Sequence, residues 1–83
     1  MIEIWGRTGC GYCEAAKKLC EDRNFKYKYY QLGEQFTREE LIEQFPEAKT
    51  YPQIKVASLY VGGYSELTRY IEETGYNGTG MTL

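Results

Sequence analysis

No histidine occurs in this 83-residue chain, and cysteine and proline are sparse, with three and two positions. Without histidine, a tetrahedral zinc site would have to be built from sulfur and carboxylate alone. The cysteine count is odd, whereas a small secreted scaffold carries its cysteines in disulfide pairs, four or more of them, so a reducing, cytoplasmic setting is expected. No apolar run approaches the roughly 20 residues that cross a bilayer. The opening Met1-Ile2-Glu3-Ile4-Trp5 has no basic start ahead of an apolar stretch, so no export signal is expected either. Ten basic residues stand against twelve acidic ones, a formal charge of -2. That is too weak a field of either sign to select nucleic acid or an acidic membrane surface.

What is present is enough apolar residue, 42% of the chain, for one compact core, and a chain of this size has no material for a second. A single domain over 1–83 is therefore expected, with the Gly-rich stretch 75–83 fraying as a tail. Ile2, Ile4 and Trp5 alternate with Glu3 as a strand does. From Gly11 to Arg23, Tyr12, Ala15, Ala16, Leu19 and Cys20 recur at helical spacing. Phe25, Tyr27 and Tyr29 alternate with Lys26 and Lys28 in a second strand that Gly33 ends. Thr37-Arg38-Glu39-Glu40 reads as a capping box for a helix that Pro46 stops. Gln53–Val56 and Leu59–Val61 lie so close, across Ala57-Ser58, that antiparallel pairing is the natural connection. Ser65 reads as the cap of a last helix carrying Leu67, Tyr70 and Ile71. The order β-α-β-α-β-β-α, with a Cys-x-x-Cys where the first strand hands over to the first helix, resembles a thioredoxin-like α/β fold: a four-stranded mixed sheet flanked by three helices. A right-handed crossover sets the first two strands side by side and parallel, and puts the motif at the sheet's edge.

Cys10 and Cys13 carry the chemistry. A thiol is a weak nucleophile until it loses its proton. Cys10 precedes the first helical turn, where unpaired backbone N–H groups and the helix dipole favour negative charge, and Arg7 adds a cation three residues upstream. Cys13 lies one turn into the helix, within reach of Cys10 but facing inward, so it attacks second. The competing reading of a Cys-x-x-Cys is half a zinc site. Cys20 is the one remaining sulfur, and it sits on the same helix two turns from Cys13, where it cannot complete the tetrahedron. Cys20 itself reads as a small buried apolar residue.

These residues resemble the glutaredoxin family over nearly the whole chain. Arg7-Thr8-Gly9-Cys10-Gly11-Tyr12-Cys13 is similar to its active-site loop, Thr50-Tyr51-Pro52 to its Thr-Val-Pro segment with a cis proline, and Gly62-Gly63-Tyr64-Ser65-Glu66 to the Gly-Gly turn opening its last helix. The resemblance implies a monomeric, glutathione-dependent enzyme that reduces protein disulfides or removes glutathione from proteins, and a glutathione groove formed by those three segments. Arg7 would hold a carboxylate of the tripeptide, or else be an ordinary exposed arginine. In the Thr50-Tyr51-Pro52 segment the backbone of Tyr51, before Pro52, would pair with its cysteinyl part as an added strand, or else Tyr51 is an aromatic packed near a loop. Gly63, Tyr64, Ser65 and Glu66 would receive the γ-glutamyl end, or else merely open a helix. Tyr12 would flank the sulfurs, or else simply cover the loop, and Arg38 is a candidate for the glycine carboxylate. Gly11 replaces the family's usual proline, Tyr51 its valine, and Tyr64 with Ser65-Glu66 its Cys or Thr followed by Asp. Two further roles stay open: a redoxin re-reduced by thioredoxin reductase that serves ribonucleotide reductase, and a [2Fe-2S] carrier in which Cys10 of two chains and two glutathione thiolates hold the cluster.

Overall fold

In the computed structural model, which describes residues 1–77, the first strand β1 (Ile2–Gly6) buries Ile2 and Ile4 on one face and Trp5 on the other. That alternation places it between two layers. Helix α1 (Gly11–Asp22) follows, then β2 (Tyr27–Gln31), α2 (Arg38–Gln44), β3 (Gln53–Val56), β4 (Leu59–Gly62) and α3 (Tyr64–Thr74). The sheet order is β2-β1-β3-β4, with β1 and β2 parallel and the other pairs antiparallel. The element order and the mixed four-stranded sheet match the thioredoxin-like expectation. One placement differs. β1 is an inner strand, because β3 pairs along its second side, so the cysteine loop leaves the end of a central strand and not the sheet's edge.

Two clusters hold the layers. Ile2, Ile4, Ile54 and Val56 on one face meet Ala16 and Cys20 of α1 and Leu67 and Ile71 of α3. On the other face Trp5 meets Leu41 of α2 together with Phe36 and Phe45, and its ring stacks on Tyr30 with centroids 4.7 Å apart. The capping box at α2 forms as read: Glu40 N–H donates to Thr37 Oγ1 at 3.2 Å, and Thr37 N–H donates to Glu40 Oε1 at 2.8 Å. The β3–β4 turn takes Ala57 and Ser58 to positive φ, 51° and 70°, the twist that a two-residue hairpin turn demands even without glycine. Among the described residues no helix is long and apolar enough to cross a membrane.

The start of α3 departs from the reading that made Ser65 its cap. The N-cap is Gly63, and its N–H donates to Glu66 Oε1 at 2.8 Å. Gly62, at φ 119°, is folded so tightly against Glu66 that a Cβ there would fall 2.9 Å from Glu66 Cγ. The glycine pair lets the chain turn from β4 into the helix sooner than a cap hydroxyl would signal. The tail also departs from expectation. Gly75 closes α3 at φ 68°, a left-handed ending that suits glycine. Tyr76 then turns back into the core, 4% exposed, with its ring edge-to-face on Phe25 at 5.1 Å. Order thus extends past residue 75; residues 78–83 lie outside the described residues.

Two substitutions test this packing. Tyr76→Ala should cost about 3 kcal/mol, the range for emptying an aromatic core site, read as a fall in urea midpoint; a tail frayed from residue 75 would show no change. Gly11→Pro should stabilise by about 0.4–1 kcal/mol through the unfolded chain. Gly11 is the first residue of α1, its φ is not in the positive region, nothing lies within 4 Å of a Cβ there, and Cys10 before it is extended at φ -104°, ψ 109°. Proline suits that position, and a lowered midpoint would contradict this.

Candidate functional site

The loop from β1 to α1 is shaped by its glycines and closed by sulfur. Gly6 is walled so closely by Tyr29 and Cys13 that a Cβ would fall 2.7 Å from Tyr29 Cζ and 2.9 Å from Cys13 Sγ. Gly9 turns the chain at φ 75°. Cys10 is the N-cap of α1, and its Sγ accepts the Cys13 N–H at 3.1 Å. The two Cα atoms are 5.2 Å apart and the sulfurs are joined as a disulfide. Cys13 is fully buried, as its inward position in the first turn predicts. Cys10 is less open than its place before the helix suggests, only 7% exposed, because the Tyr51 loop lies against it. Gln31 Nε2, at the end of β2, donates to Thr8 Oγ1 at 2.7 Å and ties the loop to the sheet. Nothing in the linear sequence links those two residues.

Facing the disulfide, the Tyr51–Pro52 peptide bond is cis. The Tyr51 carbonyl oxygen lies 3.7 Å from Cys10 Sγ, a contact that becomes a hydrogen bond only when that sulfur carries a proton. The segment is braced from beneath by Gln53, a buried polar side chain that donates to the Thr50 carbonyl at 2.8 Å and accepts from the Tyr60 hydroxyl. Arg7 lies over the Tyr51 ring, 5.9 Å from its centroid, and donates to the Thr8 carbonyl at 3.2 Å. On the other flank Tyr12, 65% exposed, stacks on Tyr64 with centroids 5.8 Å apart.

A groove of about 680 Å³ runs between these walls. Arg7, Tyr12, Thr50, Tyr51, Pro52, Gly63, Tyr64, Ser65 and Glu66 all line it, and so does Arg38. The three sequence segments, far apart in the chain, therefore meet in space. Lys49 also lines the groove, as do Leu41 and Ile42 of α2 and the loop residues Leu32 and Ala48; these were not anticipated, because a lone lysine and scattered apolar residues carry no sequence signal for a ligand. Arg7, Arg38 and Lys49 outnumber the single carboxylate of Glu66, so the groove favours an anion. Glu66 is half engaged, since its Oε1 already accepts the Gly63 N–H. The first N–H groups of α3, at Tyr64, Ser65 and Glu66, precede the first intrahelical bond and are free to meet a carboxylate.

Cys20 lies in the core, fully buried. Burial, with the neighbouring Glu21 carboxylate adding to it, pushes its thiol up to about 11. It stays protonated near neutral pH and is a poor nucleophile. Among the described residues no group of three or more histidine, cysteine or acidic side chains could hold a metal ion.

The family model for glutaredoxin matches residues 2–61. Over 77 residues the chain is 35% identical to glutaredoxin 1 of Escherichia coli, covering 84% of this chain and 91% of that protein. The solution structure of reduced Escherichia coli glutaredoxin superposes with a TM-score of 0.67 at 34% identity, over 87% of this chain and 93% of that one. A buckwheat glutaredoxin–glutathione complex has the same fold, with a TM-score of 0.72 at 19% identity over 87% of this chain and 68% of that one. With its cysteine pair at the start of the first helix and this match along most of its length, the chain belongs to the glutaredoxin family of thiol-disulfide oxidoreductases.

Proposed function

We propose that the protein uses glutathione as its reductant and that Cys10 is the nucleophile and Cys13 the resolving thiol. The observation that carries this reading is the cationic groove lined by residues of the three segments that the family resemblance assigns to glutathione, one of which, at Tyr51, lies against Cys10 Sγ. The presence of glutathione in the related buckwheat complex supports the same choice of ligand. In the reduced protein, the Cys13 N–H and the N-terminus of α1 favour a Cys10 thiolate. That thiolate attacks one sulfur of a disulfide and expels the other as a thiolate, leaving Cys10 in a mixed disulfide. When the partner is a protein, the Cys13 thiolate then attacks Cys10 Sγ, releases the reduced protein thiol and closes the Cys10–Cys13 bond. Two glutathione molecules return the pair to dithiol and leave as oxidised glutathione. When the substrate is a glutathionylated protein, Cys10 alone takes the glutathione and a second glutathione removes it.

The remaining contacts follow from the same reading. The Tyr51 backbone pairs with the cysteinyl unit as an added strand, Arg7 and Arg38 meet carboxylates by charge, and the α3 N-terminus at Ser65 and Glu66 takes the γ-glutamyl carboxylate.

Cys10→Ser should reduce disulfide exchange to the uncatalysed rate. Cys13→Ser should retain removal of glutathione from a glutathionylated peptide while losing dithiol reduction of a protein disulfide. Equal loss of deglutathionylation in both variants would reverse the assigned roles. Arg7→Glu should raise the KM for glutathione roughly three- to tenfold, the worth of one charge-assisted contact at a wet surface, and added salt should narrow the gap. Unchanged glutathione kinetics would make Arg7 a bystander.

A further inference from the structure

The space beneath Cys13 contains a polar group that the reaction described above does not use. Tyr29 stands opposite Ile4 in the β1–β2 register, and its ring packs against the cluster between the sheet and helices α1 and α3. Its hydroxyl is buried and has no hydrogen-bond partner among the described residues. The oxygen and Cys13 Sγ border the same point, the place a Gly6 side chain would occupy, which lies 2.9 Å from the sulfur and closer still to the oxygen. Glycine at position 6 is what lets hydroxyl and sulfur approach. Lys17 of α1 holds the ring from one face, its Nζ 4.3 Å from the centroid, and itself pairs with Glu14 at 3.0 Å.

A buried donor left without an acceptor costs free energy, and structures retain few of them. In the disulfide, Cys13 Sγ is a feeble acceptor. In the dithiol it becomes a thiol, and at the moment of attack a thiolate, a far stronger acceptor for an O–H donor. We propose that the Tyr29 hydroxyl donates a hydrogen bond to Cys13 Sγ once the disulfide opens, so that reduction satisfies the donor that oxidation leaves stranded. The hydroxyl keeps its proton throughout, since burial raises its pKa above the ordinary tyrosine value and the Glu14 carboxylate adds to this, against the opposing pull of Lys17. The bond favours the reduced pair at equilibrium. It also increases the thiolate share of Cys13, the species that attacks Cys10 Sγ and releases the bound thiolate.

This inference rests on the Cys10–Cys13 exchange proposed above, and its test separates the two. Wild type and Tyr29→Phe are equilibrated in graded glutathione buffers and, in parallel, in graded dithiothreitol buffers, and the dithiol fraction is read after acid quench and alkylation. Tyr29→Phe keeps the ring and should shift the equilibrium about tenfold toward the disulfide, a potential lower by about 30 mV for a two-electron couple. Urea unfolding of each form supplies the control: the oxidised variant, freed of a stranded donor, should be at least as stable as wild type, and the reduced variant less so. Equal midpoints in dithiothreitol, or the same stability loss in both forms, would overturn the role and leave Tyr29 as packing. Exchange of the wild-type pair with dithiothreitol but not with glutathione would overturn the glutathione reading alone, and the dithiothreitol series would still decide Tyr29.

Discussion

The sulfur of Cys10 accepts the Cys13 backbone N–H at 3.1 Å, in the place where a helix N-cap ordinarily presents a hydroxyl or carboxylate oxygen. Capping and chemistry share one atom here. The N–H groups that an N-cap satisfies are the same ones that stabilise a thiolate. The spacing that makes Cys10 the cap also puts Cys13 one turn on, with its sulfur in reach. The rest of the fold serves to hold that helix start in place. β1 delivers the chain to it from the middle of the sheet, Gly6 and Gly9 permit the close turn, and Ala16 and Cys20 anchor the helix on the core.

The two core clusters divide the site between them. The cluster of Ile2, Ile4, Ile54 and Leu67 fixes α1 and α3, and with them the cysteines and the Gly63–Glu66 end of the groove. The cluster of Trp5, Leu41 and Phe45 fixes α2, with Tyr51 and Ala48 packed against it, and so sets the opposite wall. β1 contributes to both, since Trp5 faces one way and its isoleucines the other. The distance across the groove is therefore a property of one strand's alternation. The buried amide of Gln53 adds a polar brace beneath the Tyr51 turn and, as most buried polar groups are, it is hydrogen-bonded.

Much of this was legible in the chain because it is written in local patterns. The strand alternation of Ile2 and Ile4, the helical spacing from Ala15 to Cys20, the Thr37–Glu40 capping box and the Cys-x-x-Cys all involve neighbours within one or two turns. The groove segments were picked out by their likeness to glutaredoxins, and residues of all three line one groove. What escaped depends on contacts between residues distant in sequence. Tyr76 reads as part of a Gly-rich tail until its ring is seen on Phe25. Gln31 and Gln53 are ordinary polar residues until one reaches Thr8 and the other Thr50. Ser65 carries the right side chain for a cap, but the Gly62-Gly63 turn begins the helix before it. Gly11, where the family resemblance leads one to expect proline, proves to occupy an ordinary first helical position.

The central claim is that Cys10, and no other sulfur, receives glutathione. Its most direct test is to treat reduced Cys13→Ser protein with oxidised glutathione, weigh the intact product and map the modified peptide. One glutathione on Cys10, with Cys20 unmodified in its buried site, is the result this account predicts. No adduct, or an adduct on Cys20, would contradict it.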